Sequence, residues 1–219
     1  GVSAGTNAAY ITSTPMGAMD WTYSQFSVVQ HLYYDVTIPV GEPIVTLQFK
    51  WKVGGEGATT SDWDNMRVHW GLASAVNPVA NTSLASGFRI SGPGANNGMY
   101  KLNSASYNAE TIVVSGVPGS TYRLVFSWKS DGSDIVNPPA AIDEVSLVSS
   151  APGNFVSTAT GDWNVGSTWV GGVAPTSLDN ATISTGNTVT INASVATPWF
   201  KPCKDAFAKY FPLKASGFP

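Results

Sequence analysis

The chain has 219 residues, with 43% hydrophobic side chains, 22 Gly, 14 Pro and a net charge of −3. That apolar fraction supports a packed core and excludes wholesale disorder, and no run of ~18 apolar residues is present to cross a membrane as a helix. Residues 1–200 carry 7 basic and 13 acidic groups, whereas 201–219 carry four Lys and one Asp; an acidic body without a basic patch argues against nucleic acid as a partner.

The first clear period-two segment is 31–38. Leu32, Tyr34, Val36 and Ile38 share one face, opposite His31, Tyr33, Asp35 and Thr37. The next is TLQFKWKV, where Leu47, Phe49, Trp51 and Val53 lie opposite Gln48, Lys50 and Lys52. Then comes NMRVHWGL, with Met66, Val68, Trp70 and Leu72 opposite Arg67 and His69. YRLVFSWK follows with Tyr122, Leu124, Phe126 and Trp128 on its apolar face. Strands with one wet face belong to antiparallel sheets. The spacers VGGEGATTSD, SGPGANNG and SGVPGS are rich in turn residues. Many short strands without helices predict an all-β antiparallel sandwich, or jelly roll, over residues 1–149.

The last strand of that unit, AIDEVSL, places Asp143, Val145 and Leu147 on one face, and its apolar members mark that face as buried. A buried carboxylate needs a cation or several hydrogen bonds. Two readings of Asp143 stand: an ion ligand, or an acceptor for Arg67, Arg123 or backbone amides. Glu144 points the other way in a regular strand and joins Asp143 on one ion only if a bulge intervenes.

SSAPGN reads as a short linker. Residues 150–195 then form the start of a glycine-rich β unit, with strands expected at 181–184 and 188–193 and with Trp163 and Trp169 packing inside it. Residues 196–219 form an atypical tail rich in Lys, Phe and Pro, either a short helix (Phe207 and Phe211 are at helical spacing) or sequence foreign to the fold. The sole cysteine, Cys203, lies there, so no intrachain disulfide forms.

The phrases AAYIT (8–12), HLYYDVTIPVGEPIVTLQFKWKVGGEG (31–57), SDWDNMRV (61–68) and YRLVFSWKSDGSDIVNPPAAIDEVSL (122–147) together resemble a MAM-like or cleaved-adhesin-type jelly-roll module. Such modules occur in secreted and surface proteins of Bacteroidetes-type bacteria. Residues 154–195 resemble the glycine-rich unit that opens β-helical domains in the same proteins. The resemblance implies an exported, non-catalytic module, often with a structural Ca²⁺ held by a last-strand carboxylate, another acid and backbone carbonyls. On this chain the expected ion ligands are Asp143 with Asp35, Asp64 or Asp20.

Ligand-binding candidates are Trp63 and Asp62, an aromatic beside acids in a polar loop, followed by Trp21 and Tyr100 in less regular segments. An exposed indole stacks on the apolar face of a sugar while carboxylates take its hydroxyls. Trp51, Trp70 and Trp128 are expected in the core. The turn Asp131-Gly-Ser-Asp134 offers closely spaced oxygens that could also clasp Ca²⁺, but it lacks the further ligands of an EF-hand loop, and an ordinary Asp-Gly turn is the favoured reading. His31 and His69 read as solvated residues on polar strand faces. No nucleophile elbow, no HExxH and no metal-spaced Cys/His set is present. The four Glu residues before 150 could supply a glycosidase carboxylate pair, a pattern with no spacing rule to support it.

The sequence therefore describes a secreted or cell-surface binding or adhesion module that recognises polysaccharide or a surface glycoprotein, beside neighbouring domains of a larger polypeptide. The alternative is an accessory domain of a secreted glycan- or protein-degrading hydrolase.

Overall fold

The computed structural model describes residues 8–11, 23, 26–57, 61–101 and 103–191. The tail with Cys203, and the candidates Asp20 and Trp21, lie outside them. The chain divides into two compact units, the first ending at Pro152 and the second beginning at Gly153.

Eight strands build the first unit: β1 (Ala9–Tyr10), β2 (Ser27–Thr37), β3 (Ile44–Val53), β4 (Asn65–Leu72), β5 (Arg89–Ile90), β6 (Asn103–Ser115), β7 (Thr121–Asp131) and β8 (Ala141–Ser150). They form two antiparallel four-stranded sheets, ordered β1-β8-β3-β6 and β2-β7-β4-β5. Six of the seven connections cross from one sheet to the other, only β4–β5 staying within one, and that order is a jelly roll of two Greek keys. The unit is an all-β sandwich.

Alternation explains the core. Leu47, Phe49, Trp51 and Val53 of β3 face Met66, Val68 and Trp70 of β4 and Leu124, Phe126 and Trp128 of β7, all buried in one cluster. Within it Phe49 meets Phe126 edge-on at 5.1 Å between centroids and Trp51 meets Tyr100 at 5.0 Å, the edge-to-face arrangement that aromatic quadrupoles favour.

Two expected faces depart from this pattern. Leu32 and Tyr34 are inward-facing on β2 yet exposed. β2 is an edge strand, and β1, on the edge of the other sheet, has only two residues. A cleft of about 600 Å³ therefore opens between Leu32, Tyr34, Val36, Ile142, Val145 and Leu147.

The second departure corrects the face assigned to Asp143. Gln48 pairs with Ser146, but Lys50 pairs with Asp143, so Glu144 and Val145 together oppose Phe49. Glu144 takes φ 49° at this bulge. The extra residue inverts the alternation: Ile142 and Leu147 both pack on the core, Val145 is 45% exposed, and Asp143 lies opposite Lys50 on the outward side.

The second unit pairs β9 (Asn154–Val156) in parallel with β11 (Asn180–Thr182), and β10 (Gly161–Asp162) in parallel with β12 (Val189–Thr190). Trp169 is buried, its Nε1 donating to the Trp163 carbonyl at 2.8 Å, with the two indoles edge-on at 5.0 Å. Asn180 Nδ2 donates to Asn154 Oδ1 at 3.1 Å, joining the neighbouring parallel strands through their side chains.

Candidate metal centre

The strand register brings three carboxylates to one corner of the sandwich. Glu56 follows β3, Asp64 precedes β4, and Asp131 ends β7. Asn65 of β4 pairs with Lys129 of β7, which sets Asp64 beside the end of β7. One oxygen from each of Glu56, Asp64 and Asp131 lies within 4.8 Å of the others. Asp64 is fully buried and Glu56 nearly so.

Local backbone chemistry dictates this convergence. Gly54 donates to the Pro138 carbonyl at 2.7 Å, and Glu56 N–H donates to the Asp64 carbonyl at 3.1 Å, closing the base of the β3–β4 connection. Between them Gly55 takes φ +70°, a left-handed conformation natural to glycine. Lys101 Nζ donates to the carbonyls of Glu56 and Ser61, tying the same connection from the side.

Hydroxyl and amide donors surround the carboxylates. Tyr23 Oη donates to Asp64 Oδ2, and the Asp131 N–H donates to Asp64 Oδ1 at 2.9 Å. The Tyr23 hydroxyl in turn accepts the Val136 N–H at 3.0 Å. Ser133 Oγ lies 3.1 Å from Glu56 Oε2, and its N–H donates to Asp131 Oδ1 at 2.9 Å. No Lys or Arg nitrogen forms an ion pair with any of the three among the described residues.

Among the described residues the three carboxylates make no ion pair, and the more distant charges of Lys101, acting on Glu56 and Asp64, and of Lys129, acting on Asp131, offset them only in part. Burial raises the Glu56 pKa above the usual carboxylate value, and the charges of Asp131, Asp64 and Asp134 add to it against the Ser133 hydrogen bond. Ser133, through its side chain and then its backbone, holds Asp131 low. Burial raises the Tyr23 hydroxyl, as does its bond to Asp64, so it stays a proton donor.

An all-oxygen set of three carboxylates and a serine hydroxyl fits a hard cation such as Ca²⁺, which takes six to eight oxygens, and lacks the nitrogen or sulfur of zinc sites. A divalent ion would add to the partial compensation that Lys101 and Lys129 supply and would favour the ionised form of Glu56.

Of the ion ligands expected from the sequence, only Asp64 belongs to this cluster. Asp35 is bound by Arg123 at 2.6 and 2.7 Å, near the far end of β7 from Asp131, roughly 25 Å away at ~3.3 Å per residue. Asp143 is buried on the outward side of the other sheet, where its Oδ1 accepts the Glu144 N–H at 2.8 Å and its charge acts on Tyr107. The bulge does not unite it with Glu144, which pairs with Lys50 at 3.1 Å. Neither carboxylate reaches Asp64.

Tyr100 is corrected: it is fully buried against Phe49 and Trp51, and its hydroxyl accepts the Gly92 N–H at 3.1 Å, so it offers no binding surface. His69 is likewise buried rather than solvated. Trp63 is 46% exposed, and Gly57, at φ +74°, lies against its ring, where a Cβ would collide. Asp62 beside it is engaged by Arg67, Lys129 and Asn65.

Of the other cluster members, Asp131 lies in the turn weighed as a Ca²⁺ clasp and read as an ordinary turn, and Glu56 is absent from the expected ion ligands. The usable signal was an acid within a glycine-rich turn at a strand end, in VGGEG and again in SDGSD. No protein-family model matches this chain, and comparison with curated proteins finds no match.

The cluster makes a pH prediction. A raised Glu56 pKa means the folded protein holds a proton that the unfolded chain releases at lower pH. Its contribution to stability is full below the ordinary Glu value and is lost as pH rises through the folded value. A cation bound here would compete with that proton for the carboxylate, so a rise in Tm on adding Ca²⁺ should grow with pH across that window. Calorimetry at several pH values checks this, and a Ca²⁺ effect that shrinks with rising pH contradicts it.

Proposed function

We propose that the first unit is a non-catalytic binding module of a secreted or cell-surface protein. It holds a structural Ca²⁺ at Glu56, Asp64 and Asp131 and presents Trp63 to a polysaccharide or a surface glycoprotein. The observation that carries this reading is one connection doing both jobs. The β3–β4 segment is fastened at its base by Glu56 and Asp64, and the residue immediately before Asp64 is a half-exposed tryptophan braced on Gly57. A cation at the base fixes the backbone, so the indole is presented with little ordering left to lose on binding. The resemblance of the sequence phrases to surface-protein modules supports the exported, non-catalytic part of this reading. No helix among the described residues is long and apolar enough to cross a membrane.

Two measurements test this. Ca²⁺ at about 100 times its Kd stabilises by ~2.7 kcal/mol, which for a unit of this size is roughly 5–10 °C in Tm. EGTA should reverse the shift, and Asp64→Asn should lack it. An identical melt with Ca²⁺ and with EGTA removes the ion from the reading. On a glycan array, Trp63→Ala should weaken binding by roughly tenfold or more, about 1.4 kcal/mol. Unchanged binding by that variant, or no glycan or glycoprotein bound by the wild type, sinks the role of Trp63.

A further inference from the structure

Part of the outward face of the β2-β7-β4-β5 sheet is buried, and the buried part is cationic. Residues 73–88, between β4 and β5, strap across this face. Asn81 N–H donates to the Val29 carbonyl at 2.7 Å, Arg123 Nη1 donates to the Val76 carbonyl at 2.8 Å, and His31 Nε2 lies 3.1 Å from the carbonyl oxygens of both Val79 and Thr82. Val76 is fully buried by this packing. The register places His31, Ser127 and Arg67 in one cross-strand row, and Tyr33, Val125, His69 and Arg89 in the next.

Arg67 and His69 are more than nine-tenths buried, and Arg67 Nε, Arg89 Nε, His69 Nδ1 and His31 Nδ1 are buried atoms without a hydrogen-bond partner. Burial lowers the His69 pKa to about 4, and Arg89, Arg67 and His31 add to the effect, so these groups feel one another's charge. Arg67 pairs with Asp62, but Arg89 enters none of the ion pairs among the described residues. Buried polar groups in folded proteins are almost always satisfied, and a guanidinium N–H without a protein acceptor is well suited to an anionic one.

We propose that this buried patch binds a small oxyanion, either an inorganic ion or the carboxylate of a ligand, with Arg89 and Arg67 donating through Nε and His69 completing the site. The strap residues then act as its lid: their backbone is held by β2 and β7, while the side chains beneath are held by the anion.

The test uses the full chain with low-millimolar sodium sulfate, acetate or chloride at matched ionic strength, below the range where salts act generally on stability. Wild-type Tm is expected to rise saturably with sulfate or acetate and not with chloride, and the His69 ring resonances in NMR to move along the same curve. Sulfate alone acting identifies an inorganic oxyanion, and acetate acting as well identifies a carboxylate. The Arg89→Gln protein should lose both responses. A shift that follows ionic strength rather than anion identity, or that persists in Arg89→Gln, overturns the site. If that variant fails to fold, the wild-type titration decides, and no saturable movement of the His69 resonances overturns it equally.

Discussion

Gly55→Ala is expected to destabilise the first unit by about 3 kcal/mol or more and to abolish its response to Ca²⁺. Gly55 sits at φ +70°, where a Cβ alone costs ~1–2 kcal/mol. Here the Cβ would also run into the Lys101 Cβ and approach the Asp64 carbonyl oxygen to 2.7 Å. Both neighbours are fixed: Lys101 by its bonds to Glu56 and Ser61, and the Asp64 carbonyl by the Glu56 N–H. Relieving the collision means moving the segment that carries Glu56, and the carboxylates then no longer converge. Gly119 is the control. It has φ +80° with open space around it, so Gly119→Ala should show the conformational cost alone. Denaturant unfolding of the two variants measures the difference; equal losses would mean that close approach plays no part at Gly55.

The sandwich was legible in the sequence because its central strands alternate without interruption. TLQFKWKV and NMRVHWGL sit in the interior of their sheets with one face on the core, and period two is the direct consequence. Alternation failed at two places for physical reasons that no local pattern encodes. On β2 the inward residues are exposed because the opposite edge strand is short, a property of the partner sheet. On β8 one inserted residue at Glu144 reverses every side chain after it, so a buried Asp143 was assigned to the core when it packs on the outer side.

The acidic cluster was legible only in part for a related reason. Asp64 was visible as an acid at a strand start, but its partners depend on which strand ends share a corner. That is fixed by the β4–β7 register and by the Gly54–Glu56 turn, both long-range facts. The cationic patch was hidden differently. Arg67 and His69 lie on a face that alternation marks as polar, yet both are buried, and residues 73–88 strap across the neighbouring strands β2 and β7 on that face. Polar periodicity reports which way a side chain points, and what packs over that face decides whether water is there to meet it.

Trp128→Ala should be the other large loss, about 3–5 kcal/mol, and it should weaken the acidic corner as well. Trp128 is fully buried on β7, in register with Gln30 and Met66, and meets Tyr23 edge-on at 5.3 Å between centroids. Tyr23 is the residue whose hydroxyl donates to Asp64 and accepts from Val136. Removing the indole opens a cavity against that ring and frees the phenol from its position over the carboxylate. Trp128→Phe should cost clearly less than the alanine change, because it keeps an aromatic ring in the site and leaves a smaller cavity while deleting a buried Nε1–H that has no partner. Leu47→Ala separates stability from the site. Leu47 is as deeply buried on β3 of the other sheet, and its loss is expected to cost ~2–5 kcal/mol while leaving Ca²⁺ affinity unchanged. Trp128→Ala should lower Ca²⁺ affinity beyond what its stability loss explains, read by calorimetric titration under native conditions where both variants are folded. Equal Ca²⁺ affinities in the two proteins would mean that Tyr23 holds its place over Asp64 without the tryptophan.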